Sequence, residues 1–387
     1  MIPVGIDKIN AYIPNYYVDL RDLAKARNID PDKFTIGIGQ DEMAFLSSEE
    51  DIVTMAANAA IEILDEDDIQ KIDMVLFATE SAFDYSKSAA TYLVDLLNLT
   101  PNIRCFEVKQ ACYSGTAAIQ MAADYVRQRP ERKVLVVTSD IARYGLNTPG
   151  EVTQGAGAIA MIVSSQPRLM IFNNDNVFMT DNQYDFWRPS YSSEAMVDGA
   201  FSNQLYIDMF KRVLEDYLEQ STIDLKMIHY MHFHLPYSKM GLKALKGNDE
   251  YFENYQAVFD QWLNNYVPMT KLGRKVGNIY TGSLYLSFVS NLLYQSDLQA
   301  GQILGFFSYG SGAVAEMFTG TLVEGFEAMI PKQLIDNLMN RRQKLTIDEY
   351  EKMFNGEIIQ KKIPIAKVTL NKIEDHKRFY QIYDNKF

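Results

Sequence analysis

One cysteine of this chain lies where a nucleophile could act. Cys112 belongs to the segment Val108-Lys-Gln-Ala-Cys-Tyr-Ser-Gly-Thr-Ala-Ala118, where a strand-like apolar run gives way to small residues and a helix is predicted to begin near Tyr113. A helix N-terminus stabilises a thiolate through its dipole and free amides, so we expect a lowered pKa for the Cys112 thiol. The small neighbours also allow a carbonyl group to approach closely and backbone amides to face a developing oxyanion. This context favours a nucleophile over a buried structural cysteine, whereas Cys105, in a plain strand-like run, is predicted to be structural.

A carboxylate and a histidine each follow an apolar strand-like run. Glu80 comes directly after the run from Ile72 to Thr79, so partial burial should raise its pKa and suit it to removing a proton next to a carbonyl. The alternative is a solvated loop glutamate. His234 ends the run from Met227 to His234 and is the candidate acid.

Two further histidines accompany His234 and raise the question of a metal site. By the two-residue period of a strand, His232 should share a face with His234, and His229 should lie on the other. A zinc site needs further Cys, His or carboxylate ligands at suitable spacing, and the surrounding sequence supplies none. The sequence therefore predicts no metal.

Two glycine-containing segments could complete such a site. Asn278 lies in Val276-Gly-Asn-Ile-Tyr-Thr-Gly-Ser283, where its amide could donate to a carbonyl oxygen, although an ordinary turn asparagine would look the same. The second segment, Phe307-Ser-Tyr-Gly-Ser-Gly312, is predicted to be a turn after a strand whose Ser308 amide faces the site. It does not match the phosphate-binding glycine pattern of nucleotide folds.

These residues must be positioned by strands and helices that alternate along the chain, which is typical of an α/β fold. Strands are predicted at Ile72 to Thr79, Lys133 to Thr138, Ala156 to Val163, Met227 to His234, Gln302 to Ser308 and Ala313 to Phe318. Helices are predicted at Asp51 to Leu64, Ser86 to Leu97, Tyr113 to Arg127, Gln204 to Leu218 and Tyr251 to Leu263. The charged stretch after about Thr346 is expected to form a peripheral helix and strand.

An internal echo indicates that the chain contains two related halves. Gly155-Ala-Gly-Ala-Ile-Ala-Met161 reappears as Gly310-Ser-Gly-Ala-Val-Ala-Glu-Met317, 155 positions later. The same offset carries the strand end at Thr79-Glu80 onto the strand end at His234-Leu235. We therefore predict a duplicated α/β unit whose equivalent strand ends face one site, with halves at 1–165 and 166–387.

Composition excludes several classes of protein. The 387 residues carry a formal charge of −13, which opposes a broad surface for nucleic acid, although Lys239, Lys243 and Lys246 form a local basic cluster. No run of about 20 apolar residues and no secretory signal pattern is present, so we expect a cytoplasmic protein that does not enter a membrane. Only two cysteines are present, which argues against a disulfide framework.

Taken together, these segments resemble the 3-hydroxy-3-methylglutaryl-CoA synthases of the bacterial mevalonate pathway, within the thiolase superfamily. The resemblance spans nearly the whole chain. It is carried by Gly5-Ile-Asp-Lys-Ile9, Phe34-Thr-Ile-Gly-Ile-Gly-Gln40, Ala78-Thr-Glu-Ser81, Ala111-Cys-Tyr113, Ala142-Arg-Tyr-Gly145, Tyr184-Asp-Phe-Trp-Arg-Pro189, Val197-Asp-Gly199, Phe233-His-Leu-Pro-Tyr-Ser-Lys-Met-Gly241, Gly277-Asn-Ile-Tyr-Thr-Gly-Ser283 and Phe307-Ser-Tyr-Gly-Ser-Gly312.

The resemblance implies a role for each catalytic candidate. Cys112 would take the acetyl group of acetyl-CoA, Glu80 would remove a methyl proton to form an enolate, and His234 would polarise the ketone of acetoacetyl-CoA as general acid. Asn278 and the amides of Cys112 and Ser308 would stabilise oxyanions. Water would then release the product, with no cofactor besides the CoA substrates.

The resemblance also implies the surroundings of the site. It places Thr153 and Ser202 near the acyl chain, with Tyr144 among the substrate-binding residues. It places Lys239 and Lys243 near the CoA phosphates or the pantetheine entrance, although a solvated helix face would also carry such lysines. Asp30 and Lys33 lie near a segment that borders the CoA tunnel. The implied fold is the five-layered αβαβα thiolase arrangement, as a homodimer.

One departure from the family pattern keeps a second function open. Lys109-Gln-Ala-Cys-Tyr-Ser-Gly-Thr116 differs from the commonest Glu-Ala-Cys-Tyr and is similar to synthases that install β-branches on polyketides, which use acyl groups on a carrier protein. Those relatives usually lack the lysines retained here at 239 and 243, so the sequence favours free CoA substrates. Degradative thiolases need a second, C-terminal cysteine, and a silent homologue would be expected to lose Cys112, Glu80 or His234.

Overall fold

The computed structural model describes residues 2–192, 194–359 and 366–383. Its strands are β1 (Gly5–Tyr12), β2 (Tyr16–Asp19), β3 (Glu42–Phe45), β4 (Ile72–Ala78), β5 (Arg104–Val108), β6 (Lys133–Ala142), β7 (Gly155–Ser164), β8 (Met170–Phe172), β9 (Val177–Thr180), β10 (Phe186–Trp187), β11 (Met196–Val197), β12 (Ile228–Phe233), β13 (Ile303–Gly310), β14 (Val314–Leu322), β15 (Gln343–Lys344), β16 (Val368–Glu374) and β17 (Lys377–Ile382). Its helices are α1 (Leu20–Ala26), α2 (Ile52–Ile61), α3 (Glu66–Lys71), α4 (Ala90–Leu96), α5 (Ser114–Gln128), α6 (Gly199–Gln220), α7 (Met240–Lys246), α8 (Gln256–Asn264), α9 (Tyr266–Thr270), α10 (Gly273–Val276), α11 (Ser283–Tyr294), α12 (Lys332–Arg341) and α13 (Ile347–Phe354).

The main sheet has a symmetric strand order. It runs β12-β13-β14-β8-β1-β7-β6-β4-β5, with β9 attached to β14. In the first half, the pairs β1–β7 and β7–β6 are antiparallel and the pair β6–β4 is parallel. The second half repeats this pattern, since β8–β14 and β14–β13 are antiparallel and β13–β12 is parallel. The two halves of the sheet are therefore related by duplication. The first copy of the repeated motif lies in β7, and the second runs from the last residue of β13 through a turn into the equivalent strand β14.

Apolar residues on alternate faces of the strands build the layers. In β6, Val134 and Val136 face a central core, whereas Leu135 and Val137 face an outer one. The central core also contains α5, α11 and the inner faces of the second half, while α2 and α4 cover one outer face. Helices α6, α7 and α8 cover the other outer face. These five layers confirm the predicted thiolase-like αβαβα fold.

Most predicted elements are present within a few residues, but some predictions were wrong. The run from Ser86 to Leu97 is helical only over Ala90–Leu96, and the helix predicted from Tyr251 to Leu263 is a 3-10 segment, Asp249–Tyr255, followed by α8. The sequence reasoning missed β1 and α11. Helix α11 has apolar and small polar residues on all sides because it is buried on all sides, so it lacks the amphipathic period that reveals a surface helix.

The C-terminal part packs on the edge of this core. Helix α13 rests on a small cluster that includes Tyr16, Leu23 and Val152, and β16 pairs with β17 in a separate hairpin. The predicted peripheral helix is confirmed, and two strands stand where one was expected. Among the described residues, no helix is long and apolar enough to cross a membrane.

Candidate active site

A cavity of about 540 Å³ brings together residues from both halves of the chain. Loops of the first half and the ends of elements in the second half form its walls. The predicted site residues that line it are Cys112, Tyr144, Thr153, Ser202, His234 and Asn278.

Cys112 lies at a strand-to-helix elbow, as predicted. Strand β5 ends at Val108, α5 begins at Ser114, and Ala111 between them has a left-handed backbone with φ of 44°. The Ser114 hydroxyl accepts from the Gln110 amide at 2.5 Å and donates to the Ala111 carbonyl at 2.8 Å. This bonding fixes the turn that places the Cys112 thiol at the cavity wall.

Glu80 contacts this thiol directly. It follows β4, and the Cys112 thiol donates to Glu80 Oε1 at 3.0 Å. Burial, with the nearby Asp140 charge, raises the pKa of Glu80 to about 8, as the sequence predicted in direction. The expected lowering of the Cys112 pKa is wrong, because burial and the Glu80 carboxylate raise it. Desolvation and a like charge outweigh the helix N-terminus, so the Cys112 side chain is a thiol at rest.

Asp140 holds the turn that carries Glu80, and the sequence reasoning missed it. Its Oδ1 accepts from the Glu80 amide at 2.7 Å, the Ser81 hydroxyl at 2.8 Å and the Thr79 hydroxyl at 3.0 Å. Its Oδ2 accepts from the Thr281 hydroxyl at 2.5 Å, which ties this turn to the second half. The only sequence signal was an acidic residue near the end of β6, after its apolar run Val134 to Val137.

The raised pKa of Glu80 predicts how activity depends on pH. Glu80 can take the thiol proton only when ionised, so kcat/KM for the first substrate should rise about tenfold per pH unit below about pH 8 and level off above it. Steady-state rates between about pH 6 and about pH 9.5 measure this profile. A flat profile over this range, which a glutamate with the ordinary pKa of 4.5 would give, would contradict the assignment.

His234 lies one residue beyond β12 and faces the cavity. Its backbone amide donates to the Phe307 carbonyl at 2.9 Å, and its carbonyl accepts from the Tyr206 hydroxyl at 2.6 Å. Burial lowers the pKa of the imidazole to about 3, and Nδ1 has no hydrogen-bond partner among the described residues. His234 is therefore neutral at rest and can offer a substrate oxygen a hydrogen bond from its N–H group.

The other two histidines do not join His234. His232 is in the core, where its Nδ1 lies 3.0 Å from the Gly305 carbonyl and its ring stacks on Phe306. His232 lies within β12, whereas His234 lies one residue beyond its end at Phe233 and lines the cavity, so the predicted face shared by the two histidines stays a prediction. His229 lies near the start of the strand, where its Nδ1 accepts from the Ile303 amide at 3.4 Å.

Asn278 is held so that its amide faces the cavity. Its Oδ1 accepts from the Tyr280 amide and the Ser283 hydroxyl, both at 2.8 Å, and its Nδ2 donates to the Tyr144 hydroxyl at 3.2 Å. The carbonyl side of the side chain is therefore occupied, and the NH₂ group remains for a substrate oxygen.

Ser308 is placed differently from the prediction. It lies inside β13, opposite Glu316 of β14, because the strand continues to Gly310 before the chain turns. Its hydroxyl accepts from Thr116 at 2.7 Å in the central core. Tyr309 and Ser311 line the cavity in its place, and an oxyanion contact from the Ser308 amide stays a prediction.

Aromatic rings close one side of the cavity. Tyr144, Phe186 and Tyr280 contact one another with ring centroids 5.8 to 6.0 Å apart. Phe186 belongs to the β10–β11 hairpin, which is anchored by the buried carboxylate of Asp185. That carboxylate accepts from Tyr309, Ser202 and the Gly312 amide. The sequence reasoning assigned no role to Asp185, although it lies in a motif that carried the resemblance.

The predicted CoA-binding residues lie outside this chamber. The Lys243 ammonium donates to the Tyr237 hydroxyl at 2.8 Å, and Tyr237 lines the cavity. The Lys239 amide donates to the Ile38 carbonyl at 3.2 Å, which brings α7 beside the segment that contains Lys33. Asp30 and Lys33 are exposed there. The structure thus gathers these four residues on neighbouring segments, and Lys243 is linked to the cavity lining through Tyr237.

Comparisons with known proteins agree with this arrangement. Residues 2–167 match the family model "Hydroxymethylglutaryl-coenzyme A synthase N terminal", and residues 172–256 and 248–364 match "Hydroxymethylglutaryl-coenzyme A synthase C terminal". The sequence is 48% identical to the hydroxymethylglutaryl-CoA synthase of Enterococcus faecalis, with 91% of each chain covered. It is 30% identical to the polyketide biosynthesis 3-hydroxy-3-methylglutaryl-ACP synthase PksG of Bacillus subtilis, with 92% of this chain and 89% of that protein covered. A crystal structure of an HMG-CoA synthase complexed with CoA superposes with a TM-score of 0.93 at 40% identity, over 98% of this chain and all of that one.

Proposed function

The chain belongs to the hydroxymethylglutaryl-CoA synthase family, and we propose from this premise that it condenses acetyl-CoA with acetoacetyl-CoA. With one water consumed, the net products of the reaction are 3-hydroxy-3-methylglutaryl-CoA and free CoA. The observation that carries the proposal is the Cys112 thiol bonded to the Glu80 carboxylate at 3.0 Å, in a chamber that also contains His234 and Asn278.

Cys112 and Glu80 perform the first half-reaction. Glu80 takes the thiol proton, and the sulfur attacks the acetyl carbonyl to form a tetrahedral oxyanion. The carbon–sulfur bond to CoA breaks, and the CoA thiolate leaves with the proton that Glu80 held. An acetyl group then remains on Cys112, and Glu80 is again ionised.

Glu80, His234 and Asn278 perform the condensation. Glu80 removes a proton from the acetyl methyl group, and the resulting enolate carbon attacks the ketone of acetoacetyl-CoA. Neutral His234 and the Asn278 amide donate hydrogen bonds to the ketone oxygen as it gains charge. That oxygen ends as a hydroxyl, so the net proton transfer runs from the methyl group to the alkoxide. Water finally cleaves the thioester and restores the Cys112 thiol.

Replacing His234 with alanine tests the proposed division of labour. The variant should still form acetyl-Cys112 at close to the normal rate, whereas condensation should fall by about a hundredfold or more because the ketone loses a hydrogen-bond donor. Single-turnover labelling by acetyl-CoA and steady-state use of acetoacetyl-CoA measure the two steps. His232→Ala is a control in the same strand region, and its rate per acetylated site should stay normal. Equal losses in acetylation and condensation for His234→Ala would contradict the role.

The proposed activity is tested directly with both free CoA substrates. Purified protein should consume acetoacetyl-CoA in the presence of acetyl-CoA, and mass spectrometry should identify 3-hydroxy-3-methylglutaryl-CoA as the product. Acetylation of Cys112 without condensation on the free CoA substrate would count against the proposal and favour a carrier-protein substrate instead.

Sequence identity favours free CoA over a carrier protein as the carrier of the substrates. The chain is 48% identical to a hydroxymethylglutaryl-CoA synthase but only 30% identical to the 3-hydroxy-3-methylglutaryl-ACP synthase PksG. The exposed Lys243 ammonium beside Tyr237 at the cavity is suited to a phosphate of free CoA.

Further proposals follow from this activity. We infer that the enzyme supplies the mevalonate route to isoprenoids in the cytoplasm and needs no cofactor beyond its CoA substrates.

We also propose a homodimer. The outer edge of β5 has no strand partner among the described residues, and an unpaired edge of this kind can pair with a second copy. Light scattering of the purified protein measures this state, and a monomeric mass would contradict it.

A further inference from the structure

One wall of the cavity is a loop, residues 143–154, that runs between β6 and β7. Its residues Tyr144, Thr148, Pro149, Gly150 and Thr153 line the chamber. A loop of this length has few backbone hydrogen bonds of its own, so its shape depends on what lies behind it.

A buried glutamate anchors the loop from behind. The Glu151 carboxylate, only 3% exposed, accepts two hydrogen bonds from the Arg27 guanidinium at 2.7 and 2.9 Å. It also accepts from the Asn147 amide at 3.0 Å and from the Tyr350 hydroxyl at 3.1 Å. Arg27 belongs to the C-terminal end of α1 and Tyr350 to α13, so two distant parts of the chain meet on one loop carboxylate.

A second chain of hydrogen bonds reaches a cavity residue. The Gln154 Nε2 donates to the Tyr350 hydroxyl at 2.8 Å, and the Gln154 Oε1 accepts from the Tyr144 amide at 2.9 Å. The Tyr144 hydroxyl in turn accepts from Asn278 at 3.2 Å. Tyr350 is fully buried, so water cannot replace its hydroxyl in this relay.

The end of α13 holds the start of the same loop. The Arg143 guanidinium donates to the Phe354 carbonyl at 2.9 Å and lies over the Phe354 ring at 3.9 Å. Helix α13 therefore contacts the loop at its first residue and, through Tyr350, at Glu151 and Gln154 near its last.

We propose that Tyr350 of α13, which hydrogen-bonds to Glu151 and Gln154 of the cavity loop, is a positioning residue for the condensation step. The proposal rests on the proposed function. Tyr350 holds Tyr144 against Asn278 through Gln154, so that the Asn278 amide faces the ketone oxygen. Helix α13 thereby stabilises the cavity loop from the side that faces away from the cavity.

Replacing Tyr350 with phenylalanine removes one hydroxyl and keeps the ring. The rate of condensation per acetylated Cys112 should fall about tenfold, while the rate of acetylation should change less than about twofold. Normalising to the acetylated fraction removes any effect of lost folded protein. The matched control is Tyr230→Phe, which removes the hydroxyl of another buried tyrosine, one that donates to Asp297 at 3.0 Å in a partly buried contact. The rate of condensation per acetylated Cys112 should remain normal in this variant.

A double-mutant cycle with Tyr144→Phe separates positioning from general destabilisation. If Tyr350 acts through Tyr144, then adding Tyr350→Phe to the Tyr144→Phe variant should lower the condensation rate by less than about twofold. An unchanged condensation rate in Tyr350→Phe, or the same tenfold loss in both backgrounds, overturns the proposal. Where Tyr350→Phe fails to fold, the near-isosteric Gln154→Met breaks the same relay without altering α13 and carries the same expectation.

Hydrogen exchange tests the relay without any turnover. The Tyr144 amide should exchange faster in Tyr350→Phe and in Gln154→Met than in wild type or Tyr230→Phe. Unchanged protection in both relay variants would overturn the proposal even if activity fell. Wild-type protein that formed no 3-hydroxy-3-methylglutaryl-CoA would contradict the proposed function instead, and the exchange result would still decide the relay.

Discussion

Replacing Cys112 with alanine is expected to abolish condensation, with a loss of about four orders of magnitude or more in kcat. Without the sulfur no acetyl group can be held beside Glu80, and the neighbouring groups offer no other nucleophile of comparable strength. The measurement is covalent labelling by radioactive acetyl-CoA together with product formation. Both signals should be lost while the circular dichroism spectrum is unchanged.

The second cysteine of the chain provides the control. Cys105 is a half-buried thiol in β5, outside the cavity, and burial raises its pKa as well. Cys105→Ala should therefore keep both labelling and turnover close to wild type. Stoichiometric acetylation of Cys112→Ala would show that another residue receives the acetyl group and would refute the nucleophile assignment.

Replacing Glu80 with glutamine should separate the two half-reactions. Glutamine cannot remove the methyl proton, so condensation should fall by about a thousandfold. Acetylation should become slower, because no carboxylate takes the thiol proton, but it should persist, because removal of the Glu80 charge takes away one cause of the raised pKa of Cys112. Acetyl-enzyme should therefore accumulate and can be counted by mass spectrometry after brief exposure to acetyl-CoA.

A buried carboxyl elsewhere controls for the loss of charge. Glu50 also has a pKa raised by burial, but its carboxylate accepts from Tyr12 and lies outside the cavity lining. Glu50→Gln should keep a normal rate per acetylated site. Normal condensation by Glu80→Gln would exclude Glu80 as the base.

The sequence was sufficient to predict the overall fold and to single out three residues that the structure brings to one site. Cys112, Glu80 and His234 each stand at the end of a strand-like run or at a strand-to-helix elbow, and such points are visible from local apolar patterns. The internal sequence repeat that begins at Gly155 and again at Gly310 correctly indicated the duplication, because equivalent parts of the two halves carry the same pattern of small residues.

What the sequence could not predict depends on contacts between distant segments. Asp140 acts through Thr79, Ser81 and Thr281, and nothing local distinguishes it from an acidic residue at a strand end. The direction of the Cys112 pKa shift was wrong because the helix terminus is a local feature, whereas the opposing burial and Glu80 charge arise only after folding. Tyr350 is separated from Gln154 by nearly half of the chain, so their hydrogen bond has no sequence signature.

The symmetric order of the main sheet also bears on how such a site could arise. Two identical half-length chains joined as a dimer would have to carry the same residue after both equivalent strands, since one gene would encode both. Fusion into a single chain removes that constraint, because each copy can then change independently. Glu80 lies two residues after the end of β4, and His234 lies one residue after the end of β12. These equivalent strand ends therefore carry complementary groups at adjacent rather than identical positions.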